Sequence, residues 1–164
     1  MKTYFERMAR YNRWANRRLY GAVAQLDPEE FTAPRSGFFP SIAKTLNHLV
    51  VADRIWLGRF TGKLSDHKSL DDVPYDDFAA LTAAREAEDQ RIIAFTRDLA
   101  QLLIDANFDY KNTAGEPKSA PMSAVLAHFF NHQTHHRGQT HAMLSSTRVA
   151  PPSLDIGYFI YEDA

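Results

Sequence analysis

The sequence predicts an all-α protein, a four-helix bundle with a short β-hairpin before the last helix. Two observations support this fold class. Apolar residues recur at three- and four-residue spacing through four long stretches, which is the period of an amphipathic helix. The connections between these stretches are short or of medium length and contain proline or glycine. Helices joined in this way form bundles, and the cores of bundles commonly hold metal sites.

Composition limits the kinds of protein this chain can be. It has 164 residues, 45% hydrophobic and 24% charged, so we expect one domain over residues 1–164 with a sizeable core. A net charge of −1 offers no basic surface for nucleic acid or an acidic membrane. No apolar run reaches the roughly 18 residues of a membrane span, and a cytoplasmic location is the default expectation. Without cysteine, any metal site must use His, Asp, Glu or water.

The first half of the chain predicts two helices. The first covers residues 3–26 and is stopped by an Asp-Pro pair. Residues 29–40 contain two prolines, a glycine and three phenylalanines, and we expect a packed loop there. The second helix is capped by Ser41 and ends at Gly62.

The third predicted helix follows a polar loop over residues 63–74, where His67 is expected to be solvated. The helix runs from about residue 75 to residue 106 on an apolar stripe of three- and four-residue spacing. Arg85 and Glu88 interrupt this stripe at its middle. We therefore expect that turn of the helix to lie at the rim of the bundle.

A change of period marks the predicted hairpin, with strands near 107–111 and 118–121 around an Ala-Gly-Glu-Pro turn. The fourth helix covers residues 123–146, with Ser123 as its cap. The tail from residue 149 is too apolar to be left in solvent, and we expect it to fold back on the bundle.

The fourth helix carries five of the seven histidines, and at about 100° per residue four of them share an arc of roughly 100°. These four are His128, His132, His135 and His136, whereas His141 points away. Imidazoles at i, i+4 can share a metal ion. His128 and His136 lie about 12 Å apart along the axis, so the helix supplies two ligands and not four. A polar face in contact with solvent is the alternative interpretation.

A further ligand must come from elsewhere, and His48 is the only histidine within another predicted helix. It lies beside the apolar stripe of the second helix, where a buried imidazole needs a hydrogen-bond partner or a metal. By itself it is also compatible with an ordinary core histidine. Asp53 is the carboxylate nearest to it in sequence, but it lies about 140° round the helix and is a poor candidate for a base.

Three stretches resemble the DinB/YfiT-like family of metal-binding four-helix bundles. NHQTHHRGQ at 131–139 is similar to the family's signature, TLNHLVVADRIWLGR at 45–59 to its second helix, and YNRWANRRL at 11–19 to its first. The hairpin and the PPSLDIGYF tail are similar too, so the resemblance covers nearly the whole chain.

The resemblance implies that a divalent ion is held by three residues, His48, His132 and His136. It implies that His128 and His135 accompany the site without binding the ion directly. Zinc and nickel are the leading candidates, because all-imidazole ligation suits both.

The resemblance leaves two functions open. Some relatives are thiol-dependent enzymes, which implies a metal-dependent transferase that joins a low-molecular-weight thiol to a small-molecule substrate. The alternative is a non-catalytic metal-binding module for stress response or interaction. No HExxH motif or serine elbow is present, and the catalytic residues are unknown. The aromatic stripe and the apolar tail predict a homodimer formed through helix faces.

Overall fold

A computed structural model of the chain describes residues 1–63, 65–67 and 69–162. Its elements, in chain order, are α1 Lys2–Val23, α2 Pro28–Thr32, α3 Ile42–Thr61, α4 Phe78–Asp98, α5 Gln101–Ile104, β1 Asn107–Lys111, β2 Pro117–Pro121, α6 Met122–Leu144 and α7 Ile156–Glu162. The all-α bundle with a short hairpin before the last long helix is therefore confirmed. Among the described residues, no helix combines the length and the apolar character needed to cross a membrane.

The four long helices pack as a ring in which α1 and α3 each contact both α4 and α6. Two apolar clusters fill the interior. One is built around Leu19, Leu46, Leu49, Leu81 and Leu144. The other is built around Phe5, Leu57, Ile92, Leu126 and Phe129. Each long helix contributes to both clusters, so the bundle buries an apolar stripe along most of its length.

Between the two clusters lies a buried polar layer, made of Asn12, Asn16, Asp53, Arg85, Glu88, Asp89, Gln133 and Arg137. Within it, one guanidinium bridges two helices: the Arg85 Nη1 atom lies 2.6 Å from the carboxylate of Asp53 and its Nη2 atom lies 3.1 Å from Asp89. Burial raises the pKa of Asp53 to about 7, against the opposing effect of the Arg85 charge.

The expected rim position of Arg85 and Glu88 is wrong, because both side chains are buried in the polar layer. They interrupt the apolar stripe since each faces a charged partner on α3 there, Asp53 for Arg85 and Arg54 for Glu88. Glu88, for example, accepts hydrogen bonds from Arg54 and Arg91 at 2.9 and 2.8 Å. A buried charge is tolerated when it is paired and hydrogen-bonded in this way.

The ends of α3 agree with the sequence prediction. The Ser41 hydroxyl accepts a hydrogen bond from the Lys44 amide at 3.2 Å, and Gly62 ends the helix with a φ of 70°. That left-handed conformation favours glycine, which has no Cβ to clash.

Other boundaries differ from the prediction. Residues 29–40 begin with a short helix, α2, whose Phe31 is buried, in place of a continuous loop. Residues 75–106 are not one helix, because the chain becomes extended at Leu99, between α4 and α5. In an unbroken helix Leu99 and Ile104 would point about 140° apart. The break lets both side chains enter the apolar cluster around Phe129.

The hairpin and the tail match the prediction. β1 and β2 pair antiparallel, with Tyr110 opposite Lys118. The tail returns to α1, where Phe159 is buried with its ring 5.8 Å from that of Tyr11. The expected Ser123 cap is wrong, since α6 begins at Met122 without a side-chain cap.

Candidate metal centre

Three histidines meet between α3 and α6. The Nε2 atom of His132 lies 3.2 Å from that of His48 and 3.1 Å from that of His136. Each of the three offers a ring nitrogen, and these nitrogens all lie within 4.8 Å of one another. His132 and His136 are one turn apart on α6, and the packing of α3 on α6 brings His48 to them. We call these three residues the histidine triad.

The spacing of the triad fits a bound cation. Nitrogens bound at about 2.0–2.1 Å to a tetrahedral ion lie roughly 3.3–3.4 Å apart, and at right angles about 2.8–3.0 Å apart. The observed distances of 3.1 and 3.2 Å lie between these values. The triad could therefore hold a metal ion.

Hydrogen bonds at the far side of two rings set their tautomers. The Nδ1–H group of His48 donates to the Leu70 carbonyl at 2.9 Å, and the Nδ1–H group of His136 donates to the Gln139 Oε1 atom at 2.7 Å. In a neutral ring this leaves a lone pair on Nε2. The Nε2 atom of His132 carries at most one proton, so at most one of its two close contacts can be a hydrogen bond. In the other contact two lone pairs face each other. A cation at the centre removes that repulsion.

Burial keeps the triad neutral. It lowers the pKa of His132 to about 3, with a further lowering from the neighbouring imidazoles, chiefly that of His136. Burial also lowers the pKa of His136 to about 4 and that of His48. The Phe39 ring contributes to this burial, with its centroid 4.4 Å from that of His48 and 5.6 Å from that of His136. Neutral imidazole is the form that binds a metal.

The other histidines lie around or away from the triad. His135 is exposed, and its Nε2 atom lies 3.1 Å from the Gln139 amide nitrogen, so it contacts the residue that orients His136. His128 is exposed with its ring centroid 6.0 Å from that of His132. His141 belongs to the opposite side of α6, beside the tail.

The solvated position expected for His67 is wrong. Its side chain is mostly buried, with Nδ1 at 3.5 Å from the Asp72 carboxylate and Nε2 at 3.3 Å from Arg54. The neighbouring Leu64 and Lys68 of the predicted loop lie outside the described residues.

Two residues of the site were not found by sequence reasoning. Gln139 had a usable signal, since it follows His136 by three positions on a helix. Leu70 had none, because its main-chain carbonyl makes the contact and any residue carries one.

Within the described residues, no carboxylate belongs to the metal-ligand cluster. Asp53 is turned into the polar layer, where Arg85 and Gln133 donate hydrogen bonds to it. Because Arg85 and Gln133 hold the Asp53 carboxylate in the polar layer, this carboxylate does not serve as a base at the triad. Three neutral ligands would leave the charge of a divalent ion intact and at least one coordination position open, as in catalytic metal sites.

Fold and site together define a helical-bundle protein with a triad of histidines that could hold a metal. The sequence model of the DinB family matches residues 1–163, and the chain belongs to the DinB family. It is 28% identical to Protein DinB of Bacillus subtilis (strain 168) over 171 residues, covering 98% of this chain and 96% of that protein. A DinB-like protein from Bacillus cereus ATCC 10987 has a similar fold, with a TM-score of 0.65 at 17% identity over 85% of this chain and 89% of that chain.

Proposed function

We propose that His48, His132 and His136 bind one divalent ion, zinc or nickel, and that the protein is a metal-dependent enzyme. The observation that carries this proposal is the meeting of three Nε2 atoms, two of them oriented by Leu70 and Gln139. Membership of the DinB family supports it.

The proposed reaction is the transfer of a low-molecular-weight thiol to a small-molecule electrophile. A bound divalent ion supplies a Lewis acid that favours the thiolate form of the cosubstrate. The chain's own residues contribute orientation and exclusion of water. Leu70 and Gln139 hold the imidazoles in place, and Phe39 covers one side of the triad.

Monochlorobimane provides a direct test of this activity. The thiol sulfur forms a bond to the bimane carbon, chloride leaves, and the thiol proton passes to buffer. We expect bimane fluorescence to rise faster with metal-loaded protein than with chelator-treated protein, for at least one of bacillithiol, mycothiol and glutathione. His48→Ala should remove the acceleration. Equal rates with and without protein for all three thiols would contradict the proposed transferase.

The alternative function is a non-catalytic metal-binding module for stress response or interaction. It is favoured by the absence of a carboxylate base in the cluster, among the described residues. Stoichiometric metal binding without turnover of any thiol would support this alternative over the enzyme.

We also propose that the protein is a homodimer. Exposed apolar side chains on α7, including Ile160 and Tyr161, support a helix-face interface. The cytoplasmic location expected from the sequence stays a prediction that cell fractionation can test.

A further inference from the structure

A pocket of about 320 Å³ lies between the second half of α3 and the hairpin. Its lining includes Ile55, Arg59, His67, Tyr110, Lys111 and Asn112. Pockets for small ligands begin at about this size, and they combine apolar walls with a few polar groups. Here Ile55 and Tyr110 provide apolar surface beside two cationic side chains.

Arg59 is half-buried and has no carboxylate partner among the described residues. Its guanidinium carbon lies 4.5 Å from the ring centre of Trp56 and 5.5 Å from that of Tyr110. Burial lowers the pKa of Arg59, because the cation has lost part of its hydration. Arg54 on the same helix differs, since it is paired with Glu88 at 2.9 Å.

The second cation, Lys111, is also without a carboxylate partner in the described part of the chain, and it lines the same pocket. Among the described residues that line the pocket, Asp109 carries the single carboxylate, which accepts a hydrogen bond from the Ser119 hydroxyl at 2.6 Å. Two cations and one engaged carboxylate leave the pocket with an excess of positive charge. Lys111 is exposed, whereas Arg59 is half-buried, and an anion would supply the charged partner that the Arg59 guanidinium lacks.

The pocket lies about two helical turns along α3 from the histidine triad. Ile55 follows His48 by seven residues, which places it within about 20° of the same face of α3 and about 10 Å further along the axis. A series of ring contacts also runs from α3 near the pocket to the histidine triad. The Trp56 centroid is 5.5 Å from that of His128, and the His128 centroid is 6.0 Å from that of His132.

We propose that this hairpin pocket binds the oxyanion group, a carboxylate or a phosphate, of a small molecule whose reactive end reaches the histidine triad. Arg59 holds the anion through its planar fork of N–H donors, and Lys111 adds a second positive charge. The rings of Trp56 and Tyr110 hold the guanidinium in place. The proposal rests on the proposed function for the role of the triad, but the anion site itself needs no metal.

Calorimetry on the full chain tests the site with three probes of similar shape: phenyl phosphate, phenylacetate and neutral phenylacetamide. We expect one or both anions to bind and the amide not to bind. Binding of only one anion would identify the charged group that the pocket selects. Arg59→Met and Lys111→Met should each weaken anion binding by about tenfold or more, the effect of losing a charge-assisted hydrogen bond. Affinity should fall as salt is added.

Arg18→Met is the matched control. Arg18 also stacks on a tryptophan, at 4.7 Å from the Trp14 ring, but it pairs with Glu162 and lies on another face. This substitution should leave anion binding unchanged. In a Trp14→Phe background Trp56 is the only tryptophan, and its fluorescence should change when phenyl phosphate binds. If Arg59→Met does not fold, Lys111→Met and this fluorescence signal still test the site.

Metal content separates the two proposals. Arg59→Met should keep the metal of the wild type, and His48→Ala should lose metal but keep anion binding. No binding of either anion to the wild type, equal binding of the amide, or undiminished binding to Arg59→Met and Lys111→Met would overturn the pocket and leave the metal site standing. Loss of anion binding in His48→Ala would also overturn it, because the anion would then depend on the triad.

Discussion

At the scale of single residues, the triad depends on contacts made by atoms that face away from it. His48 and His136 direct their Nε2 atoms to a common point because Leu70 and Gln139 accept hydrogen bonds at their Nδ1 atoms. His132 completes the group from the turn before His136. Such outer contacts fix ring orientation and tautomer, and they raise the basicity of the ligand.

The first prediction concerns the proposed ligands. His48→Ala, His132→Ala and His136→Ala should each lose stoichiometric metal, because two imidazoles alone bind an ion weakly. Plasma mass spectrometry on protein purified without a His-tag measures this, with His141→Ala as the control on the opposite side of α6. A wild-type protein without metal, or a His48→Ala variant with undiminished metal, would refute the site.

The second prediction concerns the residues beside the triad. Gln139→Ala should lower metal affinity by about 10–100-fold without abolishing binding, since the His136 ring loses the acceptor that orients it. His135→Ala should have a smaller effect, because it reaches the triad only through Gln139. Competition with a fluorescent chelator measures the affinity, and the exposed Asn131→Ala is the control. If His135→Ala abolished binding and His136→Ala did not, the assignment within this pair would be reversed.

At the scale of elements, α4 has a polar middle section because it faces α1 and α3 at the buried polar layer. Arg85 extends from α4 to Asp53 on α3, and Asp89 receives amide hydrogen bonds from Asn12 and Asn16 on α1. Gln133 belongs to this layer and directly follows His132 on α6, and it donates a hydrogen bond to Asp53 on α3. The layer therefore joins α3 to α6 beside the triad.

The third prediction follows from that layer. Arg85→Met should lower the free energy of unfolding by about 3–5 kcal/mol, because the carboxylates of Asp53 and Asp89 would be left buried without their cation. Urea denaturation followed by circular dichroism measures the change. Arg91→Met is the control: Arg91 pairs with Glu88 from a half-exposed position, and its loss should cost about 1 kcal/mol or less. Similar losses for the two variants would contradict the structural role of the layer.

At the scale of the whole molecule, the balance of buried titratable groups makes stability depend on pH. The triad imidazoles have pKa values below that of a free imidazole in the folded, metal-free chain. The unfolded chain therefore takes up protons first as the pH falls. The raised pKa of Asp53 acts in the opposite direction below about pH 7, because the folded state then gains the proton.

The fourth prediction is the resulting pH profile. In chelator-treated protein, the triad's contribution to the free energy of unfolding should be fully present above about pH 6.5 and decline as the pH falls toward about 4. Urea midpoints between pH 7.5 and 4.5 measure it, and His132→Gln should decline less than the wild type because it removes one such group. A variant with an identical slope would show that the triad is not responsible.

Because the imidazoles resist protonation, bound metal should also persist to lower pH than the value near 6 expected for unperturbed histidines.

The fifth prediction is the homodimer. Light scattering at micromolar concentration should give twice the chain mass of 18.7 kDa. Tyr161→Glu together with Ile160→Glu should shift the protein toward the monomer, because both side chains are exposed and apolar in the single chain. A wild-type mass equal to that of one chain would exclude the dimer at that concentration.

The sequence alone determined those features that depend on residues near one another along the chain. Helical periods located the four long helices, Ser41 and Gly62 marked the ends of α3, and the i, i+4 spacing placed His132 and His136 on one face. It also selected His48 as a candidate ligand, since it is the only histidine within another predicted helix, and that role stays a prediction. The predicted helices and the ends of α3 were confirmed because caps and periods act over one or two turns.

Only the tertiary structure decided which polar residues are inside and what holds the triad. Arg85 is buried because Asp53 and Asp89 face it, and a stripe on one helix carries no information about the groups opposite. The break at Leu99 serves the packing of two side chains against α6, and the Leu70 carbonyl reaches His48 across 22 residues. Such contacts depend on how the helices are arranged in space, so spacing along the chain does not reveal them.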